Sequence, residues 1–181
     1  MKEPYALSDY ARDVIGFTNR LGLSRPFVLA HSFGARVVFK IAEENPNFFS
    51  KIALVGPAGL KPRFSLKKAT KRAVFNFLKR FIPRENLKRF YSPDYINLSP
   101  VMKKSFLLVT EENLDAGIKN IEVPTLILVG KHDKETPVYM GKRLNKMIKN
   151  SKLILIRGAG HFAFLDRPKE FCEYITEFFR T

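Results

Sequence analysis

The sequence predicts an α/β fold: a mostly parallel sheet of about four strands, helices on both faces, and a helical insertion. Three observations predict it. Strand-like and helix-like stretches alternate along most of the chain. The strands are continuous apolar runs, the form taken by strands buried on both faces. The alternation breaks in one place, residues 61–120, which is helical in pattern and strongly basic in its first half. With 181 residues, 45% apolar and 13% aromatic, the chain has side chains enough for one packed domain. A mainly disordered chain is excluded.

The elements follow in order. Ser8 or Asp9 is placed to cap a helix reaching about Leu21, with Tyr10, Val14, Ile15, Phe17 and Leu21 at roughly helical spacing and Gly22 as the stop. After Pro26, the run 27–30 (Phe-Val-Leu-Ala) reads as a strand. A helical pattern runs from Phe33 to about Asn45, where Pro46 closes it. The run 52–55 is the second strand, ended by Gly56-Pro57. After Pro124 comes a third strand, 125–130, then a helix over about 139–148. A fourth strand covers 153–156. The loop Gly158-Ala159-Gly160-His161 follows, and Asp166-Arg167-Pro168 opens a last helix to about Phe179. The α/β core is thus expected in 1–60 and 121–181, with a helical cap in 61–120.

Strand 27–30 runs straight into Ala30-His31-Ser32-Phe33-Gly34, and a helix begins at once. A serine on a tight strand-to-helix turn suits a nucleophile, because the helix N-terminus favours developing negative charge. Ala30 stands where the G-x-S-x-G pattern has its first glycine. Read alone, the pentapeptide fits equally a helix cap at Ser32. A serine needs a base, and the base needs an orienting group. Of the three histidines, His161 lies in a Gly-rich loop after the last strand. His132 and His31 each adjoin a better-placed residue. Asp133, three residues beyond Gly130, is a carboxylate at a strand's end; read alone, it is a turn residue before Glu135 and Pro137.

Three motifs together carry a resemblance: Ala30-His31-Ser32-Phe33-Gly34, Gly130-Lys131-His132-Asp133 with Pro137, and Gly158-Ala159-Gly160-His161-Phe162. In this order, each at a strand's end, they resemble the C-terminal two-thirds of an α/β-hydrolase. The resemblance implies Ser32 as nucleophile, His161 as general base and acid, and Asp133 as the orienting acid. It implies the Phe33 N–H as one oxyanion donor, with His31 and Phe162 lining the substrate pocket. The implied reaction is hydrolysis of a small ester or related acyl substrate through an acyl-enzyme. Neither a metal nor a cofactor is expected.

The resemblance also implies an eight-stranded sheet in which the elbow serine follows the fifth strand. Only one helix precedes the elbow strand here, so the first four strands and the first helix have no counterpart. The expectation is a chain lacking its N-terminal strands, through an internal start at Met1 or a piece encoded elsewhere. No residue is assigned to the second oxyanion donor. Strand 27–30 is then expected as an open edge, prone to self-association. A catalytically impaired fragment is the alternative to an active hydrolase.

The formal charge is +15, and residues 61–90 supply +10 of it, with eleven Lys/Arg against Glu85. Over 66–82 the pattern is amphipathic: Leu66, Ala69, Ala73, Phe77 and Phe81 form one face, and six basic residues the other. One reading packs the apolar face over the site. Another docks the helix on an anionic membrane. Nucleic acid is not expected, since no recognition motif accompanies the charge. Phe64, Phe75, Phe77, Phe81 and Phe106 suggest an apolar pocket. Cys172, the one cysteine, reads as a core position of the last helix. The N-terminus has no signal-peptide run and no stretch approaches about 18 apolar residues, so a cytoplasmic location is expected.

Overall fold

The computed structural model describes residues 3–62 and 97–181 of the chain. Among them the elements run α1 (Leu7–Arg20), β1 (Phe27–His31), α2 (Phe33–Glu44), β2 (Lys51–Val55), α3 (Pro100–Glu111), α4 (Asp115–Asn120), β3 (Thr125–Gly130), α5 (Val138–Met147), β4 (Ser151–Ile156), α6 (Ala163–Asp166) and α7 (Pro168–Arg180). The amphipathic stretch 66–82, its phenylalanines and nearly all of the basic run lie outside the described residues. The readings that pack this stretch over the site or dock it on an anionic membrane rest on those same residues. Of the expected cap, the described part carries α3 and α4. Leu114 and Ile118 of that part are fully buried.

The four strands pair in sequence order, β1-β2-β3-β4, every pair parallel. Leu29 lies opposite Ala53, Leu54 opposite Ile127, and Leu128 opposite Ile154. This is the mostly parallel sheet that the apolar runs predict. The strands extend a residue or two past those runs, because His31, Lys51, Ser151 and Lys152 join the ladder without apolar side chains.

Successive strand residues face opposite sides, and each side has its own helices. Ile52, Leu54, Ile127 and Val129 pack with Leu7 and Ala11 of α1, Phe39 and Ile41 of α2, Ile118 of α4 and Leu144 of α5. Ala53, Val55, Leu126 and Leu128 pack with Phe171 of α7, and its Tyr174, Ile175 and Phe178 lie against them. Each such fully buried Leu, Ile or Phe contributes roughly 1.5–3 kcal/mol of transfer free energy, so the two central strands anchor the fold. β2 and β3 are almost wholly buried, whereas the outer β1 and β4 are only partly so. β1 is an outer strand, as expected, and exposes Phe27 and Leu29.

Two local expectations are corrected. Neither Ser8 nor Asp9 is the N-cap of α1. Ala6 is, and Asp9 reaches back from inside the first turn to accept the Ala6 N–H at 2.8 Å. The last helix opens at its Asp-Arg-Pro signal as expected, with Arg167 as N-cap and Pro168 as the first residue of α7, and the short α6 over 163–166 precedes it. Cys172 is exposed. Phe171 takes the core position, and a step of about 100° along a helix turns the next side chain outward. Among the described residues no helix is long and apolar enough to cross a membrane.

Candidate active site

The carboxyl ends of β1, β3 and β4 bring Ser32, Asp133 and His161 together. Ser32 follows the last residue of β1 and precedes the first of α2. Its backbone has φ 49° and ψ −111°, in the left-handed region that a non-glycine residue enters at a cost. Its N–H donates to Val55 O at 3.0 Å, and its carbonyl accepts from Ala58 N at 3.1 Å. These bonds to the end of β2 and the loop beyond it hold the strained turn. A Cβ built at Gly34 would meet Ala30 Cβ at an ordinary 3.5 Å. Ala30 itself fits.

Ser32 is not a side-chain cap of α2. Its Oγ instead lies 3.0 Å from His161 Nε2. His161 Nδ1 lies 2.9 Å from Asp133 Oδ2. A carboxylate only accepts hydrogen bonds, so Nδ1 carries the proton and Nε2 presents its lone pair to the serine hydroxyl. The side chains of His161 and Asp133 are 7% and 0% exposed. The pair therefore works out of bulk water, where its hydrogen bond is stronger.

Asp133 is held from four directions. Oδ1 accepts the N–H groups of Glu135 and Thr136, both at 2.9 Å. Oδ2 accepts the Thr136 hydroxyl at 2.8 Å as well as His161. Burial pushes the carboxyl up, but the bonds from His161 and from the Thr136 N–H and hydroxyl outweigh it and hold it below the usual value. A depressed carboxylate contributes stability that is present above its unfolded pKa of about 4 and is lost as pH falls through its folded value. Thr136→Val removes one of the bonds and shrinks the depression. The variant is expected to be less stable by about 1–2 kcal/mol near neutral pH. It should also lose less stability than the parent as pH falls below about 4. Urea unfolding at a series of pH values checks both.

The loop carrying His161 is pinned along its length. Ala159 O accepts the His132 N–H at 2.9 Å, and the Gly160 N–H donates to Asp166 Oδ2 at 2.7 Å. His31 Nε2 lies 3.1 Å from the His161 carbonyl, so that nitrogen carries a hydrogen and donates. His31 also packs against the His161, Phe162 and Phe164 rings, with centroids 4.8–5.4 Å apart. Phe162 is about half exposed, and its ring packs against those of His31 and His161. The Phe33 N–H is the first of α2, and so has no partner inside the helix. His132 contributes only its backbone. Among the described residues no group of three or more His, Cys, Asp or Glu side chains is placed to hold a metal ion.

Sequence reasoning did not reach three residues of this site. Thr136 follows Asp133 by three, a spacing that fits a side-chain turn, and this was its one signal. Gly56 has φ +48°, and a Cβ there would sit 3.1 Å from His161 Nδ1 and 3.2 Å from Asp133 Oδ2. Glu135 places a carboxylate oxygen 3.5 Å from His161 Nε2.

Comparison with known proteins agrees with this fold. A family model described as "Alpha/beta hydrolase family" matches residues 2–174. The uncharacterized hydrolase YugF of Bacillus subtilis is 24% identical over a 212-residue alignment, covering 97% of this chain and 73% of that protein. A 2-hydroxy-6-oxononadienedioate/2-hydroxy-6-oxononatrienedioate hydrolase of Pseudomonas putida is 27% identical over 188 residues, covering 90% of this chain and 65% of that protein. Among solved structures, an esterase from Exiguobacterium antarcticum superposes with a TM-score of 0.71 at 22% identity, over 98% of this chain and 75% of that one. A bromoperoxidase from Bacillus anthracis gives a TM-score of 0.73 at 20% identity, over 99% and 76%. These two likenesses show the fold.

Proposed function

The chain belongs to the alpha/beta hydrolase family, and from that premise we propose that it is a serine hydrolase acting on a small ester or related acyl substrate. One observation carries the proposal: His161 Nε2 stands 3.0 Å from Ser32 Oγ with its lone pair free, because Asp133 holds the ring's proton on the other nitrogen. A general base must lie within hydrogen-bond reach of the proton it takes, and this one does. The Pseudomonas putida relative, itself named a hydrolase, supports hydrolysis as the reaction type.

Ser32 Oγ attacks the substrate carbonyl while His161 Nε2 takes its proton. The carbonyl oxygen becomes an oxyanion beside the Phe33 N–H, at the positive end of α2. His161 then returns the proton to the leaving group, and an acyl group stays on Ser32. Water enters, gives its proton to the same nitrogen and releases the acid. Asp133 keeps the ring in one orientation and faces the imidazolium when it forms. The strained φ of Ser32 turns the hydroxyl out of the helix and toward that ring.

A fluorophosphonate probe tests the reading. It is expected to add once, at Ser32, and the adduct is expected to disappear in Ser32→Ala while the variant melts as the parent does. Equal labelling of folded parent and variant would refute it.

A further inference from the structure

One carboxylate near Ser32 has no part in the mechanism above. Glu135 Oε2 lies 3.5 Å from His161 Nε2, and its side chain is 68% exposed. Its backbone is fixed, since its N–H donates to Asp133 Oδ1 at 2.9 Å. The backbone thus keeps the carboxylate within reach of the imidazole. Among the described residues no Lys or Arg comes within ion-pair distance of it, although Lys131 and Lys134 are close in sequence.

The position matters because of which nitrogen it adjoins. A serine hydrolase's leaving group takes its proton from Nε2 of the base. The leaving atom must then sit within hydrogen-bond distance of that nitrogen, next to the Glu135 carboxylate. The acyl carbonyl, in the reading above, faces the Phe33 N–H at the start of α2. A negative charge on the leaving-group side alone discriminates between leaving groups by their charge.

We propose that Glu135 makes this site selective for acyl substrates whose leaving group carries a positive charge, such as esters of amino alcohols. The proposal rests on the serine-hydrolase reading above. A cation two or three bonds from the leaving atom comes to about 5 Å from the carboxylate, and unit charges that far apart in largely aqueous surroundings favour the pair about fivefold. Added salt weakens the preference, because the carboxylate is exposed.

Two organophosphorus reagents test this without knowledge of the natural acyl group. Both are diethyl phosphorothiolates. One leaving thiol ends in trimethylammonium, and the other in the uncharged tert-butyl group of the same shape. With either, the Ser32 Oγ–P bond forms, the P–S bond breaks, and the serine proton passes through His161 to the departing sulfur. Both leave the same diethylphosphoryl group on Ser32, read by intact-protein mass. The ratio of the cationic to the neutral rate is expected to be about fivefold higher in the parent than in Glu135→Gln, and this excess should shrink in added salt. An equal ratio in parent and variant overturns the role of Glu135 and leaves the serine reading standing. Failure of both reagents to modify Ser32 overturns the serine reading and this inference with it.

Discussion

Asp133→Asn is expected to slow the reaction of Ser32 about ten-thousandfold, the loss expected when a triad carboxylate becomes an amide and fixes the wrong tautomer. The structure dictates how the amide must sit. Oδ1 of Asp133 accepts two backbone N–H groups, from Glu135 and Thr136. Only the carbonyl oxygen of an asparagine can take that place, so its NH2 group must take the place of Oδ2. There it meets the Thr136 hydroxyl, which can rotate to accept, and His161 Nδ1, 2.9 Å away in the parent. An amide N–H facing Nδ1 requires the bare nitrogen there, and the ring proton moves to Nε2. His161 then presents a donor to Ser32 where it must present an acceptor. The amide keeps partners for its own atoms but loses the charge-assisted bonds that stabilise the buried carboxylate, so the melting temperature is expected to fall by a few degrees, far too little to account for the loss of rate. The rate of fluorophosphonate labelling, followed beside thermal melting, checks both halves. Labelling within tenfold of the parent would mean that Asp133 does not set the tautomer.

The partners of each Asp133 oxygen were only partly legible in the sequence. The strands were legible because β2 and β3 are buried on both faces and are therefore unbroken apolar runs. Ser32, Asp133 and His161 were legible as candidates because each follows the carboxyl end of a strand, where parallel α/β sheets place reactive groups. Thr136 was harder, since Asp-x-x-Thr describes many turns. The contact of His31 with the His161 carbonyl joins residues 130 apart in sequence, and no local pattern encodes it. Glu135 reads locally as a turn residue; its distance to His161 Nε2 depends on how two loops from different strands meet. Cys172 misled because hydropathy takes every apolar residue of a helix as a core candidate, whereas the register of α7 gives that place to Phe171.

The tightest dependence of the site on its scaffold lies at Gly130, the last residue of β3, and Gly130→Ala is expected to damage stability and reactivity together. A Cβ there would sit 2.0 Å from the Gly160 carbonyl oxygen and 2.6 Å from that of Ala159. Neither neighbour is the end of a flexible side chain. Both are backbone atoms of the loop that delivers His161, and the loop cannot easily retreat. Ala159 O is held by the His132 N–H, and Gly160 N by Asp166. Overpacking of a core commonly costs about 1–3 kcal/mol, and rigid backbone neighbours place this case at the upper end. For a chain of this size that lowers the melting temperature by roughly 6–12 °C. Whatever displacement the loop does undergo moves Nε2 from its 3.0 Å contact with Ser32, and a misplacement of about 1 Å can cost about a hundredfold in rate. Gly34→Ala is the matched control. Its Cβ would meet only Ala30 Cβ, at an ordinary 3.5 Å, and alanine favours the α2 helix by up to about 1 kcal/mol over glycine. Melting and Ser32 labelling measured on the two variants side by side are expected to separate them clearly. Parent-like behaviour of Gly130→Ala would show that the end of β3 does not fix the loop carrying His161.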